Sequence, residues 1–91
     1  MISISSYYGK SGSAENNAKM VTIDHTTLYF SYETLVAVDL GEGDGPKVIK
    51  NYWGPTTGRH MNEIDTGSPM AKDNRLEADD FQKYVNSLKL V

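Results

Sequence analysis

Apolar and polar residues alternate through the first half of this chain, and a helical period takes over in the second. Residues 2–8 (ISISSYY) alternate Ile2 and Ile4 with serines, the two-residue period of a strand. Residues 19–24 (KMVTID) set Val21 and Ile23 against Met20, Thr22 and Asp24, a second strand pattern. Residues 27–32 (TLYFSY) are aromatic and β-branched, with Leu28, Phe30 and Tyr32 on one side and Tyr29 and Ser31 on the other. Residues 35–40 (LVAVDL) carry one charge and read as a central strand. The pattern admits either one bent strand over 27–40 or two strands of a tight hairpin. Residues 41–46 (GEGDGP) form the clearest turn, since three glycines supply positive φ and Pro46 ends pairing. Residues 47–53 (KVIKNYW) are then expected to return antiparallel to residues 35–40.

After Trp53 the period changes. Gly54 and Pro55 end the strand, and Thr56 or Thr57 can cap a helix by accepting an orphan backbone N–H. Met61 and Ile64 lie three apart, so a short helix over 57–64 has a narrow apolar stripe and should stop by Gly67. Gly58 and Pro55 suit a helix interior poorly, which places its start at Thr57 or later. Residues 66–75 read as a polar linker. In residues 77–89, Phe81, Tyr84, Val85 and Leu88 fall at i, i+3, i+4 and i+7, an amphipathic helix. Its acids Glu77, Asp79 and Asp80 come first and Lys89 last, as the helix dipole prefers. Residues 9–18 (GKSGSAENNA) bury little and read as a flexible loop.

These elements sum to one small α+β domain over residues 1–91. We expect an antiparallel sheet of three to four strands, a short helix after Trp53, and a C-terminal amphipathic helix on one sheet face. Ninety-one residues leave no room for a second domain. The absence of cysteine excludes disulfides, thiol catalysis and cysteine metal sites. A net charge of −3 argues against a general phosphate-backbone binder. No apolar run approaches the ~20 residues that span a bilayer. Residues 1–13 also lack the basic start and apolar middle of a signal peptide, so a cytoplasmic protein is expected.

Two segments carry a resemblance. The first is Tyr29-Phe30-Ser31-Tyr32-Glu33-Thr34-Leu35-Val36-Ala37-Val38; the second is Trp53-Gly54-Pro55-Thr56-Thr57-Gly58-Arg59-His60-Met61-Asn62. Their pattern, aromatic-Ser-Tyr-x-Thr-x-Val-Ala followed by Trp-x-x-Thr-Thr-x-x-His-x-Asn, resembles a family of small uncharacterised bacteriophage and prophage proteins. The resemblance implies a phage or mobile-element origin and a role inside the host cell. It implies no activity.

Candidate chemistry centres on the second segment. Thr57, His60 and Glu63 lie three apart and would share a helix face. That spacing would suit a general base oriented by a carboxylate beside a hydroxyl. The competing structural reading makes Thr57 a cap and His60 a packing residue at the strand-to-helix joint, and a full nucleophile geometry is absent. Two histidines 35 positions apart, His25 and His60, make a poor metal pattern. The glycine loop at 41–45 precedes a strand and carries Glu42 and Asp44, so it is a turn and not a phosphate cradle. Nine aromatic residues exceed what catalysis needs; we rank them as core first, with Phe30, Trp53 and Phe81 at its centre, then protein interface, then base stacking.

The function expected from these features is that of a small non-enzymatic phage-derived protein. It would bind, and inhibit, a host or antiviral-defence protein, in the manner of anti-CRISPR proteins. Self-association is a further expectation for so small a core. The expected binding residues are Tyr52, Trp53, Arg59, His60, Asn62 and Glu63, with no catalytic residue, metal or cofactor. The alternative is a nucleic-acid-binding accessory protein using Lys47, Lys50 and Arg59, and a small hydrolase built on His60 ranks third.

Overall fold

The computed structural model describes residues 2–7, 17–43 and 45–88. Five strands form one antiparallel meander in the order of the chain: β1 (Ile2–Ser6), β2 (Ala18–Ile23), β3 (Thr26–Ser31), β4 (Thr34–Asp39) and β5 (Lys47–Val48). Among the described residues three helices follow: α1 (Pro55–Asp65), α2 (Pro69–Asp73) and α3 (Ala78–Asn86). The α+β class and the antiparallel sheet agree with the sequence reading, with a strand more than expected.

The segment over 27–40 is a hairpin. Ser31 pairs with Thr34, leaving Tyr32 and Glu33 as the turn, and Tyr32 takes a left-handed φ of 57°. Asp24 does the same at φ 55° between β2 and β3. Such φ values are uncommon outside glycine, so a bulky tyrosine at that position needs compensating contacts. The register of β3 on β4 slips between Tyr29 and Phe30: Tyr29 faces Ala37 but Phe30 faces Leu35. Val36 is therefore the extra residue of a bulge. Its carbonyl accepts from the Ile49 N–H at 3.0 Å, which carries the chain onward beside β4.

Four boundaries depart from the sequence reading. Of the expected loop at 9–18, residues 9–16 lie outside the described residues, but Ala18 opens β2 and is fully buried. Of the strand expected over 47–53, Lys47 and Val48 pair in register with β4, and after the Ile49 N–H bond to Val36 the chain turns to Leu76, with which Ile49 bridges in parallel. Lys50 N–H donates to the Leu76 carbonyl and Leu76 N–H to the Val48 carbonyl, so a segment distant in sequence takes over the pairing. Helix α1 begins at Pro55, two residues earlier than expected. Proline suits a first helical position because its missing N–H would be unsatisfied there anyway. The expected linker at 66–75 contains α2, whose Ser68 Oγ accepts from Ala71 N–H at 3.1 Å.

Glycine at 58 has a spatial reason. A Cβ there would sit 3.0 Å from Asn51 Nδ2, so the bare backbone lets the pre-helical turn fold against α1. The core joins Val36, Ala37, Val38, Val48, Ile49, Met61 and Phe81. Ile64, Tyr84, Val85 and Leu88 pack around it, as their helical spacing requires. Two of the three aromatics expected at the centre are elsewhere: Phe30 is half-buried and Trp53 is 42% exposed. Trp53 follows the end of pairing, in the bend before α1, where no strand carries its ring inward.

Candidate functional site

The strand-to-helix joint at residues 51–65 divides into a sealed interior and an open rim. The interior is polar. Ser31 closes β3 and points from the same sheet face as Tyr29, which it shares with Ala18 and Thr34 through the register. Ser31 Oγ lies 2.7 Å from His60 Nδ1 and 3.0 Å from Thr57 Oγ1. All three residues are buried, and His60 is fully so. Tyr7 meets the His60 ring edge-on at 6.2 Å and the Tyr29 ring at 5.3 Å, and donates its hydroxyl to the Phe30 carbonyl at 3.0 Å. The left-handed Tyr32 lays its ring against His60 at 5.9 Å, the contact that accompanies its uncommon backbone. Burial pushes the Tyr7 phenol well above the ordinary tyrosine range and raises that of Tyr29, with Asp39 adding to the effect on Tyr29.

A hydroxyl 2.7 Å from an imidazole superficially matches a base and its nucleophile. Access decides against that use here, because a nucleophile must reach a substrate carbonyl or phosphorus. Ser31 is 1% and Thr57 7% exposed. The arrangement instead satisfies buried polar atoms, each of which would cost ~1–3 kcal/mol if left unpaired. It also welds α1 to the sheet. The sequence grouping of Thr57, His60 and Glu63 is split: Thr57 and His60 face inward, whereas Glu63 is exposed. Ser31, 29 positions from His60, holds the place assigned to Glu63. Thr57 is likewise not the cap, since it lies within α1 and Gly54 takes the cap position. His60, expected among the binding residues, is interior, as the packing reading of the joint has it: it is fully buried, with Tyr7 and Tyr32 against its ring and Ser31 at its Nδ1.

The rim holds the other expected residues. Tyr52 and Trp53 are 53% and 42% exposed, with rings edge-to-face at 6.0 Å. Both are held in place. Tyr52 donates its hydroxyl to Glu77 Oε2 at 3.0 Å and accepts from the Ala78 N–H at 3.0 Å. Helix α3 has no side-chain cap of its own, so Tyr52 does that work from another part of the chain. The Trp53 backbone N–H donates to Asn51 Oδ1 at 2.8 Å, and its ring rests against Tyr52. Lys50 pairs with Glu77, which raises the lysine pKa and lowers that of the carboxyl. Arg59 is exposed and donates to Thr56 Oγ1 at 3.1 Å.

Asn62 belongs to a separate clamp. Arg75 Nε donates to Asp65 Oδ2 at 2.8 Å, and Arg75 Nη2 donates to Asp65 Oδ1 at 2.9 Å and to Asn62 Oδ1 at 3.1 Å. This fork is largely buried, with side-chain exposures of 6% for Arg75 and 12% for Asp65. Gly67 permits it, because a Cβ there would fall 2.4 Å from Asn62 Oδ1. The clamp borders an open cleft of about 720 Å³ whose lining includes Lys47, Arg75, Leu76, Asp80, Lys83 and Tyr84. Sequence reasoning missed Ser31, Tyr7 and Arg75. Ser31 gave a faint signal, as the one serine of an aromatic strand; Arg75 gave none, being one cation in a polar run.

Among the described residues, no group of three or more His, Asp or Glu side chains is placed to hold a metal ion. No helix there is long and apolar enough to cross a membrane. No curated protein and no solved structure matches the chain. A family profile does match, over residues 2–83, and the chain belongs to that family of unknown function, DUF8033.

Proposed function

We propose that this is a non-enzymatic binding protein that engages a partner protein through the Tyr52–Trp53 ledge. Arg59 and Glu63 stand at its rim, and Asn62 contributes through the clamp. The observation that carries the reading is an exposed pair of aromatic rings set edge-to-face, with the Tyr52 ring held through its hydroxyl and the Trp53 backbone held through its amide. Rigid Trp and Tyr side chains give large contact area with little ordering cost, which is why they dominate interface energetics. The enclosed Ser31–His60–Thr57 cluster supports a binding role over catalysis. Lys50 is neutralised by Glu77, which favours a protein partner over a nucleic-acid backbone. The resemblance of residues 29–62 to phage proteins makes a host or antiviral-defence protein in the cytoplasm the expected target, with inhibition as the outcome.

The test uses the fact that Trp53 is the chain's one tryptophan. Wild type and Trp53→Ala are used to capture partners from host lysate, and the captured protein is purified and titrated against wild type. We expect a partner held by wild type and lost by Trp53→Ala at unchanged thermal stability. Tryptophan emission should shift to the blue on titration. An identical captured set for both proteins, or capture of nucleic acid that disappears with added salt, would overturn the reading.

A further inference from the structure

We propose that β1 is a homodimerisation strand, pairing antiparallel with β1 of a second copy so that Ile2 of each chain lies opposite Ile4 of the other. The hydrogen-bond alternation supplies the first argument. Tyr7 N–H donates to the Ala18 carbonyl at 3.1 Å, which makes Tyr7–Ala18 a hydrogen-bonded pair of the β1–β2 ladder. On the other side of β2, Tyr32 N–H donates to Asn17 at 2.7 Å, which is the alternation expected of that strand. Residues 3, 5 and 7 therefore turn their backbone groups toward β2. Ile2 and Ile4 turn theirs outward, to the edge of the sheet.

The second argument is the character of that edge. Folded proteins protect edge strands with charges, proline, bulges or a covering element. Strand β1 reads ISISS, with no charge and no proline, and pairs with β2 in unbroken register. Among the described residues no strand lies beyond it. Ile2 is 65% and Ile4 70% exposed, among the largest exposures of apolar side chains here. Their sheet face continues inward through Ile23, Val21 and Leu28 by register.

The third argument is self-complementarity, which favours a second copy over another occupant. A strand that pairs antiparallel with itself is isologous, so every contact is made twice. With Ser3 on the two-fold axis, Ile2 meets Ile4 of the second copy at both ends through outward backbone groups. Both isoleucine pairs fall on one face. The chain carries a net charge of −3, yet this strand is neutral, so the approach of a second copy sets no charge against its like there. In this register three residues of β1, Ile2 to Ile4, pair with their counterparts, a ladder small beside a standard interface. The dimer should accordingly be concentration-dependent.

Sedimentation of the full chain over rising concentration gives the first readout, with a doubling of mass expected. Register is read by single-cysteine variants, since the native chain has none. Ser3→Cys places the thiol-bearing residues opposite each other with Cα atoms ~4.5 Å apart, within disulfide reach. It should form a covalent dimer under mild oxidant. Ser5→Cys places them roughly 14 Å apart, four residues along the ladder, and should stay monomeric. Charge exchange gives the second readout. The Ile2→Lys/Ile4→Lys variant and the Ile2→Glu/Ile4→Glu variant should each sediment as monomers, and their mixture should restore the dimer. A wild type that stays monomeric at millimolar concentration would overturn the proposal. So would equal crosslinking through Ser3→Cys and Ser5→Cys, or a lysine variant that dimerises as well as wild type. These outcomes are independent of the fate of the Trp53 surface.

Discussion

Replacing Arg75 by methionine should be among the most damaging single changes in this protein. Methionine keeps much of the aliphatic volume and removes three hydrogen bonds, two to Asp65 and one to Asn62. It leaves the Asp65 carboxylate in a site where that side chain is 12% exposed. Among the described residues, the Gly67 N–H at 3.0 Å from Asp65 Oδ1 then remains to donate to that carboxylate. Surface ion pairs contribute ~0–1 kcal/mol because water screens them. Breaking a buried pair costs ~3–5 kcal/mol, mostly for the abandoned charge. Native stability at ~0.05–0.15 kcal/mol per residue comes to about 5–14 kcal/mol for this length. The loss is therefore a large share of the total. At ~4–8 °C per kcal/mol, Tm should fall by roughly 12–40 °C. Urea denaturation followed by Trp53 emission measures the change directly. Arg75→Lys should recover part of it, since an ammonium restores charge but not the fork. The double variant Arg75→Met/Asp65→Asn should be more stable than additivity allows, by ~0.5–3 kcal/mol. A loss below about 1 kcal/mol for Arg75→Met would mean that the pair behaves as a surface pair, and would refute the reasoning.

Two further outcomes follow from the buried hydroxyl and phenol groups. Ser31→Ala removes the atom shared by His60 and Thr57 and should cost about 1–3 kcal/mol in urea midpoint analysis, with the far-UV signal of the folded state unchanged; a neutral result would mean that the cluster is not holding α1 to the sheet. The Tyr7 and Tyr29 phenols are raised by burial, so the folded state holds their protons more tightly than the unfolded chain does. Their contribution is fully present below the ordinary value of 10.0 and is lost as pH climbs from there toward the folded values. Stability should therefore fall above pH 10, with tyrosinate absorbance rising as the chain unfolds, and Tyr7→Phe should flatten that fall.

How much of this was legible beforehand differs by element. The strands over 19–24, 27–32 and 35–40 and the C-terminal helix were readable from period alone. Each buries one side, and a two- or 3.6-residue repeat records that locally. The start of α1 was placed too late because Pro55 and Gly58 were weighed by propensity. Their reasons are a first-turn position in one case and room for Asn51 in the other. Helix α2 hid inside a polar run because five residues with one Ser68 cap carry no apolar stripe. Tyr52 and Trp53 were singled out as candidate contacts, and their exposure is a fact of the fold that no local pattern encodes.

By itself, then, the chain determined its period, its turns and its class. Alternation selected an antiparallel sheet, the glycines at 41–45 marked one of its reversals, and the Phe81 stripe committed the last helix to a core. The tertiary structure alone decided which polar residues became partners. Ser31 meets His60 across 29 positions, Arg75 meets Asp65 across 10, and Tyr52 supplies the acceptor for α3 across 26. It also decided that His60 is interior and Trp53 is at the surface. Period follows from bonding between neighbours in sequence. Pairing of buried polar groups follows from desolvation, which selects whichever partner the folded topology brings within ~3 Å.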